Sequence, residues 1–343
     1  MAHRIEQPYD KVFSTVSREW HGLAEVVEKI DRDVLNPILF PIVEGEITIS
    51  LDGEQITLED QKALVADYRH RDDIPQGQKI RSLSVMGKDY HVIENGRVLD
   101  CVEQAINDYN LDAKIVTAGS LRSGKSFFIS LQQDDHAREV LKGDKWDFYL
   151  NGVTSHDGVD SLTWYVGGFR QVCWNTVRWG LDSSDIRASI YHKKNANLQM
   201  DSLPEILVAM RNQQNDMIEA LTHLAGITCS IEKATRLVSG YFSNITGEKK
   251  FSTRTTNSVN DILNKFSRGL GNRGESMYDL LNGFTEYYTS GDGTGKKANL
   301  ADRQYRANNG SAADHKERFS GLLMDKDSRD DLEHKGSLVE LKA

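Results

Sequence analysis

Gly119-Ser120-Leu121-Arg122-Ser123-Gly124-Lys125-Ser126 matches the phosphate-loop pattern G-x-x-x-x-G-K-[ST] at every fixed position. Such a loop cradles phosphates when a strand precedes it and a helix follows, because loop amides and helix N-terminus then face one anion. Ala113–Ala118 reads as the strand. Phe127-Phe128-Ile129-Ser130-Leu131, rich in aromatic and β-branched residues, reads as a second strand and not as a helix. Ser123-Gly124 is then a hairpin turn in which glycine supplies a positive φ. No downstream apolar run ending in Asp offers the magnesium ligand that such enzymes use. The residues favour an antiparallel hairpin over 113–132, and nucleotide hydrolysis is kept as a third functional reading.

Ser155, His156 and Asp157 are hydrolytic residue types, but three neighbours in sequence cannot converge as a triad. Asp157-Gly158 reads instead as a turn between strands at 145–151 and 161–167. Arg170, Cys173, Asn175 and Thr176 fall where a strand gives way to an expected helix over 173–181. Asn175 or Thr176 would cap that helix, and Arg170 would meet a carboxylate or phosphate beside it, or the group would be a buried polar junction. A catalytic Cys173 would need a base, with His192 as the candidate. The histidines are dispersed without HExxH spacing, so neither a metal nor a cofactor is expected.

Trp164, Tyr165, Phe169, Trp174 and Trp179 crowd aromatics into one stretch, interleaved with Arg170 and Arg178. Rings beside cations suit single-stranded nucleic acid, where bases stack and phosphates pair; the same rings would equally fill a core. Arg187, His192, Lys193 and Lys194 form one basic cluster, and Lys249, Lys250 and Arg254 another. Net charge is −9, which disfavours whole-surface attraction to nucleic acid but leaves room for a local basic groove.

The elements that would position these groups follow from periodicity and turn chemistry. Leu23, Val26, Val27 and Ile30 have helical spacing. Residues 46–58 read as a hairpin turning at Asp52-Gly53, 58–69 as a short helix, and 79–93 as a second hairpin turning at Gly87. Val98, Cys101, Val102, Ala105, Ile106 and Tyr109 line one helical face, which places Cys101 in the core. Ser202-Leu203-Pro204-Glu205 is a helix start with Ser202 as the cap, opening a long helix over 202–224. Further helices are expected at 228–241, 257–267 and 275–288, and a polar, frayed end over the last twenty residues. Strands first and helices later give an α+β fold: antiparallel hairpins and sheet packed with helices, then a mainly helical C-terminal part. The regions divide as 1–75, a helix and hairpin; 76–200, the α+β core; 201–290, helical; and 291–343, polar and partly flexible.

The chain has 343 residues, 38% of them hydrophobic, and three scattered cysteines. No apolar run reaches the roughly 20 residues of a bilayer span, and Met1–Glu6 lacks the apolar core of a secretory signal. The cysteine pattern suits a reducing cytoplasm.

Several blocks resemble a family of phage- and plasmid-encoded proteins that carry a domain of unknown function, the phage/plasmid-like proteins. They are Glu19-Trp20-His21-Gly22-Leu23, Thr117-Ala118-Gly119-Ser120-Leu121, Ser155-His156-Asp157-Gly158, Arg170–Thr176 and Asn282-Gly283-Phe284-Thr285-Glu286-Tyr287. The resemblance covers roughly residues 18 to 325. It implies that the Gly119 region is strand-turn-strand and that Lys125-Ser126 is not a fixed feature. The order of elements is also similar to that of phage single-strand annealing proteins, an analogy of topology.

Together these point to a mobile-element protein of the bacterial host cytoplasm that binds single-stranded DNA as a homo-oligomer and anneals strands in recombination. Arg122, Lys125, Arg170, Lys193 and Lys194 would hold phosphates. Trp164 and Trp174 would stack on bases or support the groove. The alternative is a protein-interaction module that inhibits a host defence or replication enzyme.

Overall fold

The computed structural model describes residues 35, 38–70, 72, 76–121, 124–133, 138–170, 175–178, 187–211, 213–289 and 310–341. The expected helix around Leu23–Ile30 lies outside them. Strands precede helices, and the α+β expectation holds.

The N-terminal part is built from β1 (Ile42–Gly45), β2 (Thr48–Leu51), β3 (Glu54–Thr57), β4 (Gln61–Asp67) and β5 (Ile80–Gly87). β1, β4 and β5 form a three-stranded antiparallel sheet in the order β1-β4-β5. Its inner face carries Ile42, Leu64, Ala66 and Leu83, which join Phe40 and Tyr68 in a small core of their own. The expected helix over 58–69 is therefore the strand β4. Gln61-Lys62-Ala63-Leu64 has good helical propensity, but pairing on both edges overrides it. Only the first half of the second expected hairpin forms, as β5, which pairs with β4. The β2–β3 hairpin stands where the sequence places it. Asp52 and Gly53 take φ of 51° and 88°, the primed turn that matches strand twist.

Helix α1 (Asn95–Asn107) follows and buries Val98, Leu99, Cys101, Val102 and Ala105. The main sheet is antiparallel, in the order β11-β10-β9-β7-β6: β6 (Ala113–Leu121), β7 (Ser126–Gln133), β9 (Asp144–Ser155), β10 (Leu162–Arg170) and β11 (Asn175–Arg178). The short strands β8 (Arg138–Leu141) and β12 (Arg187–Ile190) pair with β9 and β10. The helix expected over 173–181 is contradicted at 175–178, where the chain pairs with Gly167–Arg170. Asn175 and Thr176 accordingly sit in a ladder and cap no helix.

The rest is helical: α2 (Ala196–Asp201), α3 (Leu203–Arg211), α4 (Gln213–Ala225), α5 (Ile231–Thr246), α6 (Thr253–Arg268), α7 (Met277–Thr289), α8 (Ser311–Met324) and α9 (Lys326–Ser337). The single helix expected over 202–224 is two, α3 and α4, preceded by α2. Ser202 ends α2, its N–H bonding the Gln199 carbonyl, while its own carbonyl accepts from Ile206 in α3. Side-chain caps fall instead at Ser230, Ser252 and Asp325, each accepting a backbone N–H three residues on. The C-terminal residues expected to fray form α9, which buries Leu332 and Gly336 against α5. One apolar cluster joins α1, one face of the main sheet and the helices through to Leu332.

Candidate nucleic-acid interface

β6 and β7 pair from Ala113↔Gln133 to Leu121↔Ser126. The element after Lys125 is thus a strand, and the phosphate-loop match is the tip of a hairpin. Gly124 has φ of 92°, a value glycine adopts without Cβ strain. With no helix N-terminus behind Lys125, the loop amides have no dipole to share with a phosphate. Gly124 packs instead under Phe40 and Leu83 of the N-terminal sheet.

That tip lies at one end of the main sheet, together with the β9–β10 turn and the residues after β12. The His156 N–H donates to the Lys125 carbonyl at 2.7 Å. The His156 ring is fully buried. Asn95 Nδ2 donates to the Ile38 carbonyl at 2.8 Å, which turns its Oδ1 toward His156 Nε2 at 2.9 Å. Nε2 is then the protonated nitrogen. Nδ1 is buried and has no hydrogen-bond partner among the described residues. Burial, with a smaller electrostatic contribution from His192, pushes the His156 pKa down to about 3. Burial also lowers the pKa of His192. Its Nδ1 donates to the His91 carbonyl at 2.9 Å, its Nε2 faces Thr154 Oγ1 at 3.2 Å, and Tyr90 stacks on its ring at 4.6 Å. The Tyr90 hydroxyl, its pKa raised by burial, donates to the Ser155 carbonyl at 2.9 Å. The His156 and His192 rings and the Tyr90 hydroxyl each hold a neighbouring backbone or side-chain group. Ser155-His156-Asp157 is accordingly a built turn, closed by a Ser155–Asp160 hydrogen-bond pair.

Lys125, Lys193 and Lys194 therefore gather at one sheet end. Lys193 and Lys194 are exposed, and Lys193 lies over the Tyr191 ring at 5.5 Å. Arg170 is the last residue of β10, opposite Trp146, and the nine residues of that strand put it about 26 Å away at 3.3 Å per residue. Arg122 and Trp174 lie outside the described residues, as does Cys173. Trp164 is fully buried in the apolar cluster, its ring over Gly152. A ring with no exposed face cannot stack on a base, so the stacking expected of Trp164 does not fit its position. In the second basic cluster Lys250 pairs with Glu340 at 3.7 Å, which offsets part of its charge.

The two faces of the main sheet differ in chemistry. One carries Phe127, Ile129, Leu131, Trp146, Phe148, Leu150, Trp164 and Val166, all in the apolar cluster. Strand alternation puts Phe128, Ser130, Tyr149, Asn151, Thr163 and Tyr165 on the other. Phe128, Tyr149 and Tyr165 are 4–8% exposed, yet belong to neither apolar cluster. Ser130 donates to Asn151 at 2.7 Å. The ladder sets Arg187 opposite Tyr165 and Arg178 opposite Gly167. The aromatic stretch at 164–179 does not reveal this ring-and-amide face. Its signal is the period of two in Phe128-Ile129-Ser130 and Tyr149-Leu150-Asn151.

The described residues make up an α+β protein whose central antiparallel sheet is apolar on one face and polar-aromatic on the other, with lysines at one end. Residues 82–316 match the model of a protein family described as a domain of unknown function (DUF932), and the chain belongs to that family. No curated protein and no solved structure matches the chain. Among the described residues no group of His, Cys, Asp and Glu is arranged to hold a metal ion, and no helix is long and apolar enough to cross a membrane.

Proposed function

We propose that the protein binds single-stranded DNA, as a phage- or plasmid-encoded factor that anneals strands in recombination. The observation that carries this reading is the pair of exposed lysines, Lys193 and Lys194, at the same end of the sheet as Lys125. Lys125, Lys193 and Lys194 at the sheet end supply the phosphate contacts, and Arg122, three residues before Lys125 in sequence, is the further candidate. No bond is made or broken; the strand is held with its bases available for pairing. Lys193→Glu with Lys194→Glu tests this directly. Both side chains are exposed, so the variant keeps its fold, checked by an unchanged denaturation midpoint. It should weaken oligonucleotide binding regardless of sequence and flatten the salt dependence by roughly 0.7 in log–log slope for each phosphate no longer neutralised. Wild-type affinity in this folded variant would remove the lysines from the interface.

A second reading, a protein-interaction module acting on a host enzyme, is favoured by the exposed acidic hairpin β2–β3. It takes the lead if wild type binds no oligonucleotide at low salt.

A further inference from the structure

Every residue of β2 and β3 is exposed. The hairpin is nevertheless two-faced. Ile49 pairs with Ile56, and strand alternation puts Ile47, Leu51 and Leu58 on the same side. The other side carries Thr48, Ser50, Gln55 and Thr57, with Thr48 and Thr57 hydroxyls 3.4 Å apart. Ile49, Leu51 and Ile56 are 43%, 59% and 41% exposed. A two-stranded hairpin is marginal in water by itself, so an apolar face of this kind calls for a cover. Its rim is acidic: Glu44, Glu46, Asp52, Glu54, Glu59 and Asp60 are all exposed.

The same chain carries a surface of opposite charge. Tyr191 and Leu198 are 58% and 72% exposed, and the exposed Lys193 and Lys194 lie between them in the chain. The two surfaces are neighbours. The Lys88 N–H donates to the Asp60 carbonyl at the hairpin base, and Tyr90, two residues on, stacks on His192 between Tyr191 and Lys193. The geometry points to arm exchange between two copies of this chain. The acidic, apolar β2–β3 arm of one copy covers the basic, apolar Tyr191–Leu198 patch of the other, and because arm and patch share one end the contact is reciprocal and closes a two-fold dimer. The inference does not rest on the DNA reading; arm and strand would compete for Lys193 and Lys194.

The test is done without DNA. Sedimentation velocity over a wide concentration range should show wild type dimerising. Ile49→Ser with Ile56→Ser leaves both lysines in place and changes only exposed side chains. It should raise the dissociation midpoint by more than about tenfold, which is 1.4 kcal/mol, while preserving the denaturation midpoint. Mixing an Ile49→Cys protein with a Leu198→Cys protein should give an intermolecular disulfide that neither gives alone. A wild type that stays monomeric, an arm variant that dimerises like wild type, or an arm that binds only a foreign basic protein would each overturn the inference. Loss of dimer with retained oligonucleotide binding would separate this interface from the DNA reading.

Discussion

Lowering the pH should destabilise this protein through His156, by an amount the structure sets. In the folded chain the ring is fully buried, Nε2 is committed to Asn95 Oδ1, and Nδ1 faces no acceptor among the described residues. A second proton must therefore sit on an unpaired buried nitrogen near His192. The unfolded chain takes that proton at about pH 6.5, the folded chain at about 3. Stability is complete above about 6.5, falls as the pH drops because the unfolded state binds more protons, and stops falling below about 3. The loss is about 1.4 kcal/mol per pH unit within that window, hence about 2 kcal/mol at pH 5. The assay is urea denaturation at neutral pH and near pH 5, on wild type and on His156→Gln, whose amide can still donate to Asn95 but does not titrate. Burial also lowers the pKa of His192 and His315; both act in the same direction and are present in both proteins. The wild type should lose about 2 kcal/mol more than the variant over this interval. Parallel losses would refute the reasoning and would mean that Nδ1 finds an acceptor or water in solution.

Three further expectations rest on single contacts. Lys125→Ala should leave any ATP affinity unchanged in calorimetry, since the loop is a hairpin tip; a clear loss would revive the hydrolase reading. Gly240→Ala should cost about 1–3 kcal/mol, because a Cβ there collides with the Leu332 carbonyl where α5 packs on α9; an unchanged urea midpoint would contradict that packing. Ser252→Ala should cost about 1 kcal/mol, since its hydroxyl caps α6 at 3.2 Å from Thr255 N, whereas Ser202→Ala, at the end of α2, should fall well below that in the same assay.

Legibility in the sequence followed how local the deciding forces were. The turns at Asp52-Gly53 and Gly124, the α1 face as far as Ile106 and the strands around Asp157-Gly158 depend on turn chemistry and periodicity within a few residues, and formed as read; Tyr109 falls beyond the end of α1 and is exposed. Segment 61–67 reads as helix because its residues favour helix in isolation, while its two sheet partners, β1 and β5, are distant in sequence. The C-terminal residues read as frayed because they are charged. Leu332 and Gly336, too few to make a pattern, dock on α5 once the bundle exists. At the candidate interface, Lys193 and Lys194 stand out as a charge cluster, and their placement at the same sheet end as Lys125 follows from the pairing of β12 with β10. The aromatic cluster draws attention to Trp164, which the fold buries, and of the opposite face it includes Tyr165 but not Phe128 or Tyr149, all three also buried.

The central claim is tested most directly by titrating the full-length chain with labelled single-stranded and double-stranded oligonucleotides at two salt concentrations. The account predicts tighter binding to the single strand, with log affinity falling against log salt at roughly 0.7 per phosphate neutralised. Absence of binding at low salt up to high micromolar protein, or equal affinity for duplex and single strand, would contradict it.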